Sequence, residues 1–203
     1  MKSLIPCLIV VSMCVSATFG AFDHTISNTY YYGILTLNGE SLLVTGAGAN
    51  GIEAEGLSYV EIQNTASLQN NVGGIYTLDL EDNSILNYFG GETGNFDIYD
   101  DATAVFSGGR IDYISSFQRP LSGDYPPSYW DKHIEIICKS YDYNTSTKKL
   151  TGVWGNDTTF NIQLVDKSGY YSAISNIEFT IIPEPATLSL LGLGGLLIRR
   201  KLK

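Results

Sequence analysis

Asp82-Asn83-Ser84-Ile85-Leu86-Asn87-Tyr88-Phe89-Gly90-Gly91 and Asp100-Asp101-Ala102-Thr103-Ala104-Val105-Phe106-Ser107-Gly108-Gly109 are two versions of one phrase. Each runs from a polar turn through a short strand and an aromatic residue to a Gly-Gly pair. Working outward, glycines recur at Gly39, Gly56, Gly73, Gly90 and Gly108, spaced by 17, 17, 17 and 18 residues. Between them lie stretches of period-2 alternation: Tyr59-Val60-Glu61-Ile62, Ile75-Tyr76-Thr77-Leu78-Asp79-Leu80, Phe96-Asp97-Ile98-Tyr99 and Ile111-Asp112-Tyr113-Ile114. Such alternation marks half-buried strands, and no stretch of the body has a helical period. The sequence therefore predicts an all-β protein. A repeat of two strands and a glycine corner predicts a short β-solenoid of about five rungs over 21–131. A β-sandwich with regular turns fits the same spacing.

From Gln118 to Trp130 the chain is Pro-rich and irregular, with Pro120, Pro126 and Pro127 unsuited to a central strand. Residues 132–182 have a different texture. His133–Cys138, Leu150–Trp154, Phe160–Val165 and Ile177–Ile181 read as strands, with a hairpin turn expected over Tyr141–Lys148. They predict an antiparallel meander that caps the solenoid, since an open end presents unpaired backbone groups.

The 203 residues hold 44% hydrophobic and 16% charged residues, enough apolar material for a core. The net charge is −9, from 12 Lys+Arg and 21 Asp+Glu, which argues against nucleic acid as a partner. Body residues 21–182 carry 7 basic and 20 acidic residues, a net −13, and all of that excess lies before residue 132. Three Cys and two His argue against a disulfide framework or a zinc site.

Both ends read as targeting segments. Met1-Lys2-Ser3, the apolar run Leu4–Val15 and the small residues Ser16, Ala17 and Gly20 predict a signal peptide over 1–20. At the other end, Pro183-Glu184-Pro185 precedes the apolar run Thr187–Ile198 and the basic end Arg199-Arg200-Lys201-Leu202-Lys203. As a transmembrane helix the run is short against the ~20 residues that a bilayer core needs. Its basic end should stay cytoplasmic, and the two prolines keep Glu184 extended. An ordinary single-pass anchor would have the same topology.

This tripartite order over 183–203 resembles the PEP-CTERM sorting signal of Gram-negative bacteria. The matching residues are Pro183, Glu184, Pro185, the Gly-rich apolar stretch, and Arg199, Arg200 and Lys201. The resemblance implies an exosortase as processing partner and a transient inner-membrane intermediate. It also implies a destination at the cell surface or in an exopolysaccharide-rich matrix.

No catalytic constellation is apparent, and no enzyme activity is expected. A polysaccharide lyase or glycoside hydrolase is the alternative, since solenoids host such enzymes and glycosidases need a carboxylate pair. Asp100-Asp101 is the candidate pair, but adjacent strand residues point to opposite faces unless they sit in a turn. Cys138 and His133 stand five apart and fall on opposite faces of one strand, which argues against a nucleophilic dyad. No cofactor is expected beyond weak calcium. Gly90-Gly91-Glu92-Thr93-Gly94-Asn95-Phe96-Asp97-Ile98 resembles an RTX calcium nonapeptide, with Thr93 where glycine is required, making Asp97, Asp100 and Asp101 the metal candidates. Tyr30, Tyr31, Tyr32, Tyr125, Tyr129 and Trp130 are candidate sugar-stacking residues. The threonines Thr36, Thr45, Thr65, Thr77, Thr93 and Thr103 do not keep the repeat, which excludes a flat ice-binding face.

Overall fold

The computed structural model describes residues 21–69, 73–117 and 132–183. The expected signal peptide over 1–20 lies outside the described residues. So do the sorting tail from Glu184 onward and the stacking candidates Tyr125, Tyr129 and Trp130.

Fourteen strands make up the described chain: β1 (His24–Ile26), β2 (Tyr31–Asn38), β3 (Ser41–Val44), β4 (Ala49–Glu55), β5 (Tyr59–Ile62), β6 (Ile75–Leu80), β7 (Ile85–Tyr88), β8 (Glu92–Ile98), β9 (Thr103–Phe106), β10 (Arg110–Ser116), β11 (Ile134–Asn144), β12 (Lys149–Trp154), β13 (Thr159–Val165) and β14 (Ile177–Ile181). The fold is all-β; among the described residues the single helical element is a 3-10 turn, Ala173–Asn176. The strands form one sheet in the order β1-β3-β5-β7-β9-β11-β12-β13-β10-β8-β6-β4-β2, with β14 added beside β11. The path is nearly closed, like a barrel, and open between β1 and β2.

Alternate strands pair in parallel. On the odd side, Ser41 aligns with Tyr59, Tyr59 with Ile85, and Ile85 with Thr103. On the even side, Ala49 aligns with Ile75, Ile75 with Thr93, and Thr93 with Ile111. The chain thus crosses from one side to the other and back every 17 or 18 residues. One circuit is eight residues longer, between β5 and β6. Inward-facing side chains stack into continuous columns. Ile26, Val44, Ile62, Tyr88, Phe106 and Ile136 line the odd side and are all buried. Ile52, Leu78, Phe96, Ile114 and Leu164 face them from the even side. Rings meet across the interior, Phe96 and Phe106 edge to face at 5.0 Å. Each buried side chain of this size contributes about 1.5–3 kcal/mol, so repetition itself builds the core.

The longer circuit corrects the glycine reading. Gly39 and Gly56 lie in the turns leading from the even side to the odd side. The equivalent positions in the next two circuits are Asp82 and Asp100, by continuation of the β4–β6 and β6–β8 registers. All four have positive φ: +76°, +66°, 57° and 48°. Gly73, Gly91 and Gly109 belong to the opposite corner, 18 residues apart, with φ of +107°, +93° and +80°. The even 17-residue spacing joined two different corners, because the eight extra residues nearly equal half a circuit.

The expected solenoid with an end cap differs from the structure in how its sections join. β11 continues the odd side in parallel with β9, and β13 continues the even side in parallel with β10. β12 pairs antiparallel with both, so the meander carries the sheet around the end. The last strand stands outside the meander: β14 runs parallel to β11, Ile134 to Cys138 against Ile177 to Ile181. The hairpin turn is also shorter than expected, because β11 extends to Asn144. Trp154 fills this end, fully buried against Phe160 at 4.3 Å, and its Nε1–H donates to the carbonyl of Gly109 at 2.8 Å.

Candidate functional site

The last sheet hydrogen bonds fix the sorting segment's point of departure. β14 is held by five register pairs to β11, and the Ile182 N–H donates to the Cys138 carbonyl at 2.8 Å. Thr180 Oγ1 donates to Glu135 Oε1 at 2.6 Å. Pro183, which has no N–H to give, follows at once and is exposed. Among the described residues the sheet therefore ends at Ile182, directly before the Pro-Glu-Pro motif in sequence. Glu184, Pro185, Arg199, Arg200 and Lys201 lie outside the described residues.

The outer surface of the even side bears a feature that the sequence reading missed. Glu53, Asp79 and Asp97 occupy the same register position on β4, β6 and β8 and form a carboxylate ladder. Neighbours in such a ladder stand about 4.8 Å apart. Glu55 and Glu81 form a second rank two residues on. Asp79, in the middle and half-buried, has its carboxyl pushed up to about 6, first by desolvation and then by the charges of Asp97, Glu53 and Glu81. Glu81 is raised too, first by desolvation and then by the charges of Glu55, Asp100, Asp82 and Glu53.

Aromatic rings continue the second rank. Tyr99 stacks on Phe117 at 4.3 Å and 12°, and Tyr170 meets Phe117 edge-on at 5.3 Å. Lys167 Nζ stands 5.2 Å from the Phe117 ring centre. Burial, and then Asp97, Asp79 and Glu81, push the Tyr99 hydroxyl up to about 12. The 18-residue register links Asp79 with Asp97 and Tyr99 with Phe117, while Glu53 joins Asp79 only across the longer, 26-residue step.

Of the calcium candidates, Asp97 belongs to the ladder, while Asp100 and Asp101 lie in the exposed turn after β8, Asp100 at positive φ. Among the described residues no three His, Cys, Asp or Glu are grouped to hold a metal ion. The RTX-like stretch folds as strand β8 rather than as an ion-binding turn. Asp100 and Asp101 do share a turn, the one arrangement in which a carboxylate pair could converge.

Cys138 is buried inside the sheet end, and desolvation raises its thiol. His133 is half-buried, with Nδ1 at 3.0 Å from the Ala102 carbonyl. The two are not brought together. Tyr31 and Tyr32 are exposed on β2 beside the open edge, and Tyr30 packs edge-on against Tyr32 at 4.9 Å. Among the described residues no helix is long and apolar enough to cross a membrane.

A chain whose last described strand is followed in sequence by Pro-Glu-Pro, an apolar run and a basic end has the form of an exported protein with a C-terminal sorting segment. Residues 182–201 match the family model of the PEP-CTERM protein-sorting motif. The motif indicates a protein sorted to the cell surface through exosortase, by way of a membrane-anchored intermediate. No curated protein and no solved structure matches the chain.

Proposed function

We propose that this is a non-enzymatic protein of the cell envelope or extracellular matrix, with a solenoid-type body delivered by its tail. The signal peptide directs export, and the tail holds the body at the outer side of the inner membrane. Exosortase then cuts near Pro183-Glu184-Pro185 and releases the body to the surface or matrix. The observation that carries this reading is the match of 182–201 to the sorting motif, starting at the residue that makes the last sheet hydrogen bond.

The parallel, 18-residue register supports treating the body as a two-sided solenoid whose end is closed by β11–β13. Such a body offers long, regular outer faces and suits a structural or glycan-interacting role. Tyr99, Phe117 and Tyr170, flanked by carboxylates that accept hydrogen bonds from hydroxyls, favour a neutral or amine-bearing glycan over a uronate. Calcium association with Asp97, Asp100 and Asp101 has the local negative charge as its support.

Intact masses of the chain in membrane and outer-surface fractions test the sorting. The expected surface form lacks both the leader and everything after the Pro-Glu-Pro region. A chain found only in the membrane, still ending at Lys203, makes the tail an ordinary anchor. Retention of the surface form on purified matrix polysaccharide tests the glycan role, and Phe117→Ala should weaken that retention.

A further inference from the structure

The inward-facing series on β14 runs off the core. Ile177 is buried, Phe179 is half-buried, and Ile181 is 48% exposed. Ile182, beside Gly155, is 37% exposed. On β11, Tyr141 lies flat on Phe179 at 3.6 Å and 9°, and is itself 44% exposed. Tyr141, Phe179 and Ile181 thus form one exposed apolar patch at the point where the sheet ends, with Ile182 on the opposite face of the strand. Their charged neighbours are turned away or paired: Thr180 and Glu135 bond on the other side of β14, and Lys139 pairs with Asp157.

Covalent geometry limits how far this patch can stand from the tail. Four residue steps separate Pro183 from Thr187, where the apolar run begins. Even fully extended they span at most about 14 Å. The headgroup layer on one side of a bilayer is roughly 5–8 Å thick. With Thr187–Ile198 in the hydrocarbon, the end of β14 must sit in or just above that layer.

We propose that Tyr141, Phe179 and Ile181 seat the folded body on the lipid interface of the membrane-anchored intermediate. The occupant of the patch is the bilayer surface itself. A Tyr with an apolar body and a polar tip suits that depth, as does an isoleucine adjoining an inserted segment. The body is thereby held against the membrane, and the Pro-Glu-Pro peptide is presented in the headgroup layer with little slack. This inference rests on the reading that the tail inserts, and the experiment separates the two.

The full chain carrying Cys7→Ala, Cys14→Ala and Cys138→Ala is reconstituted into phospholipid vesicles with an environment-sensitive fluorophore at Ile181→Cys, Leu191→Cys or Thr103→Cys. The expected result is hydrocarbon-like emission at 191, blue-shifted emission quenched by headgroup-attached nitroxide at 181, and water-like emission at 103. Hydrocarbon-like emission at 191 with water-like emission at 181 overturns the proposal and leaves the anchor standing. Water-like emission at all three removes both. A shift at 181 that appears only on adding exosortase assigns the patch to a protein partner and overturns the lipid reading. The unsubstituted chain gives a second readout, because Tyr113 on the opposite side is 47% exposed, close to Tyr141 in exposure. Water-borne radical labelling in vesicles should fall at Tyr141 relative to Tyr113, and equal labelling overturns the proposal.

Discussion

The two corners of the circuit solve one backbone problem under different constraints. At the corner entering the even side, Gly73, Gly91 and Gly109 are packed. A Cβ on Gly91 would stand 2.6 Å from the Thr65 amide nitrogen, and one on Gly109 would stand 2.6 Å from the Tyr88 ring and 2.8 Å from the Gly91 carbonyl oxygen. At the corner entering the odd side, Gly39 meets nothing within 4 Å, and Asp82 and Asp100 adopt the same left-handed conformation with side chains in solvent. Positive φ alone favours Gly, Asn or Asp. Positive φ together with close backbone approach admits only glycine. The packed corner therefore keeps glycine in the three circuits of Gly73, Gly91 and Gly109, one circuit after Ala47, which lacks positive φ, while the open one passes from Gly39 and Gly56 to Asp82 and Asp100.

The largest expected effect breaks the packed corner. Gly109→Ala should cost about 3 kcal/mol, from left-handed strain added to a backbone clash, read as a lower midpoint in denaturant. It should also disturb the bond from Trp154 and so change the indole fluorescence. Gly39→Ala, with strain but no clash, should cost about 1 kcal/mol. Equal losses at the two sites would mean that packing has no bearing on the distinction.

The next effect concerns the face between the corners. The Asp79 carboxyl is raised from 3.8 to about 6, so the folded state holds its proton more tightly than the unfolded chain. Its ionisation therefore opposes folding above pH 6, and that penalty fades as the pH falls through 6 toward 4. The shift corresponds to about 3 kcal/mol at full weight; solvent screening of a half-exposed group reduces this to about 1–2 kcal/mol. Asp79→Asn should raise the stability at pH 7 by that amount and flatten the pH dependence between 4 and 7. A variant no more stable than the parent at pH 7 contradicts the ladder.

The smallest effects sharpen the open corner. The Asp82 carboxylate accepts from the Gly56 N–H at 3.0 Å. Asp82→Ala should cost about 1–2 kcal/mol, through the lost bond and the less tolerant φ. Asp82→Gly trades the bond for relief of strain and should lie within about 0.5 kcal/mol of the parent. Thermal unfolding of the pair isolates the φ contribution.

Much of the fold was legible because alternation is a local signal. Val60, Ile62, Leu78, Leu80, Ile98 and Ile114 all point inward, as their spacing requires. The phrase shared by 82–91 and 100–109 holds in the structure, since Ile85 pairs with Thr103 and Tyr88 with Phe106. What could not be read locally was the phase between circuits. Eight residues inserted after β5 moved the next glycine from one corner to the other while leaving its spacing intact. One step of the carboxylate ladder spans that insertion, so Glu53 was legible as an acid but not as the neighbour of Asp79. The join at the far end was hidden for a related reason. Ile177–Ile181 has the pattern of a strand, but its parallel partner lies more than forty residues earlier. Pro183 and the residues after it were legible because a linear address is read as sequence.

The parallel pairing of β14 to β11 has a mechanical consequence. A pull on Pro183 along the axis of β14 is transmitted along that strand. Five register pairs and the Ile182–Cys138 bond then bear the load together, in shear. An antiparallel hairpin pulled from its open end would instead lose its bonds singly, like a zip. The attachment is therefore strong to a pull along β14 and weaker to a force that peels Ile182 sideways from the sheet.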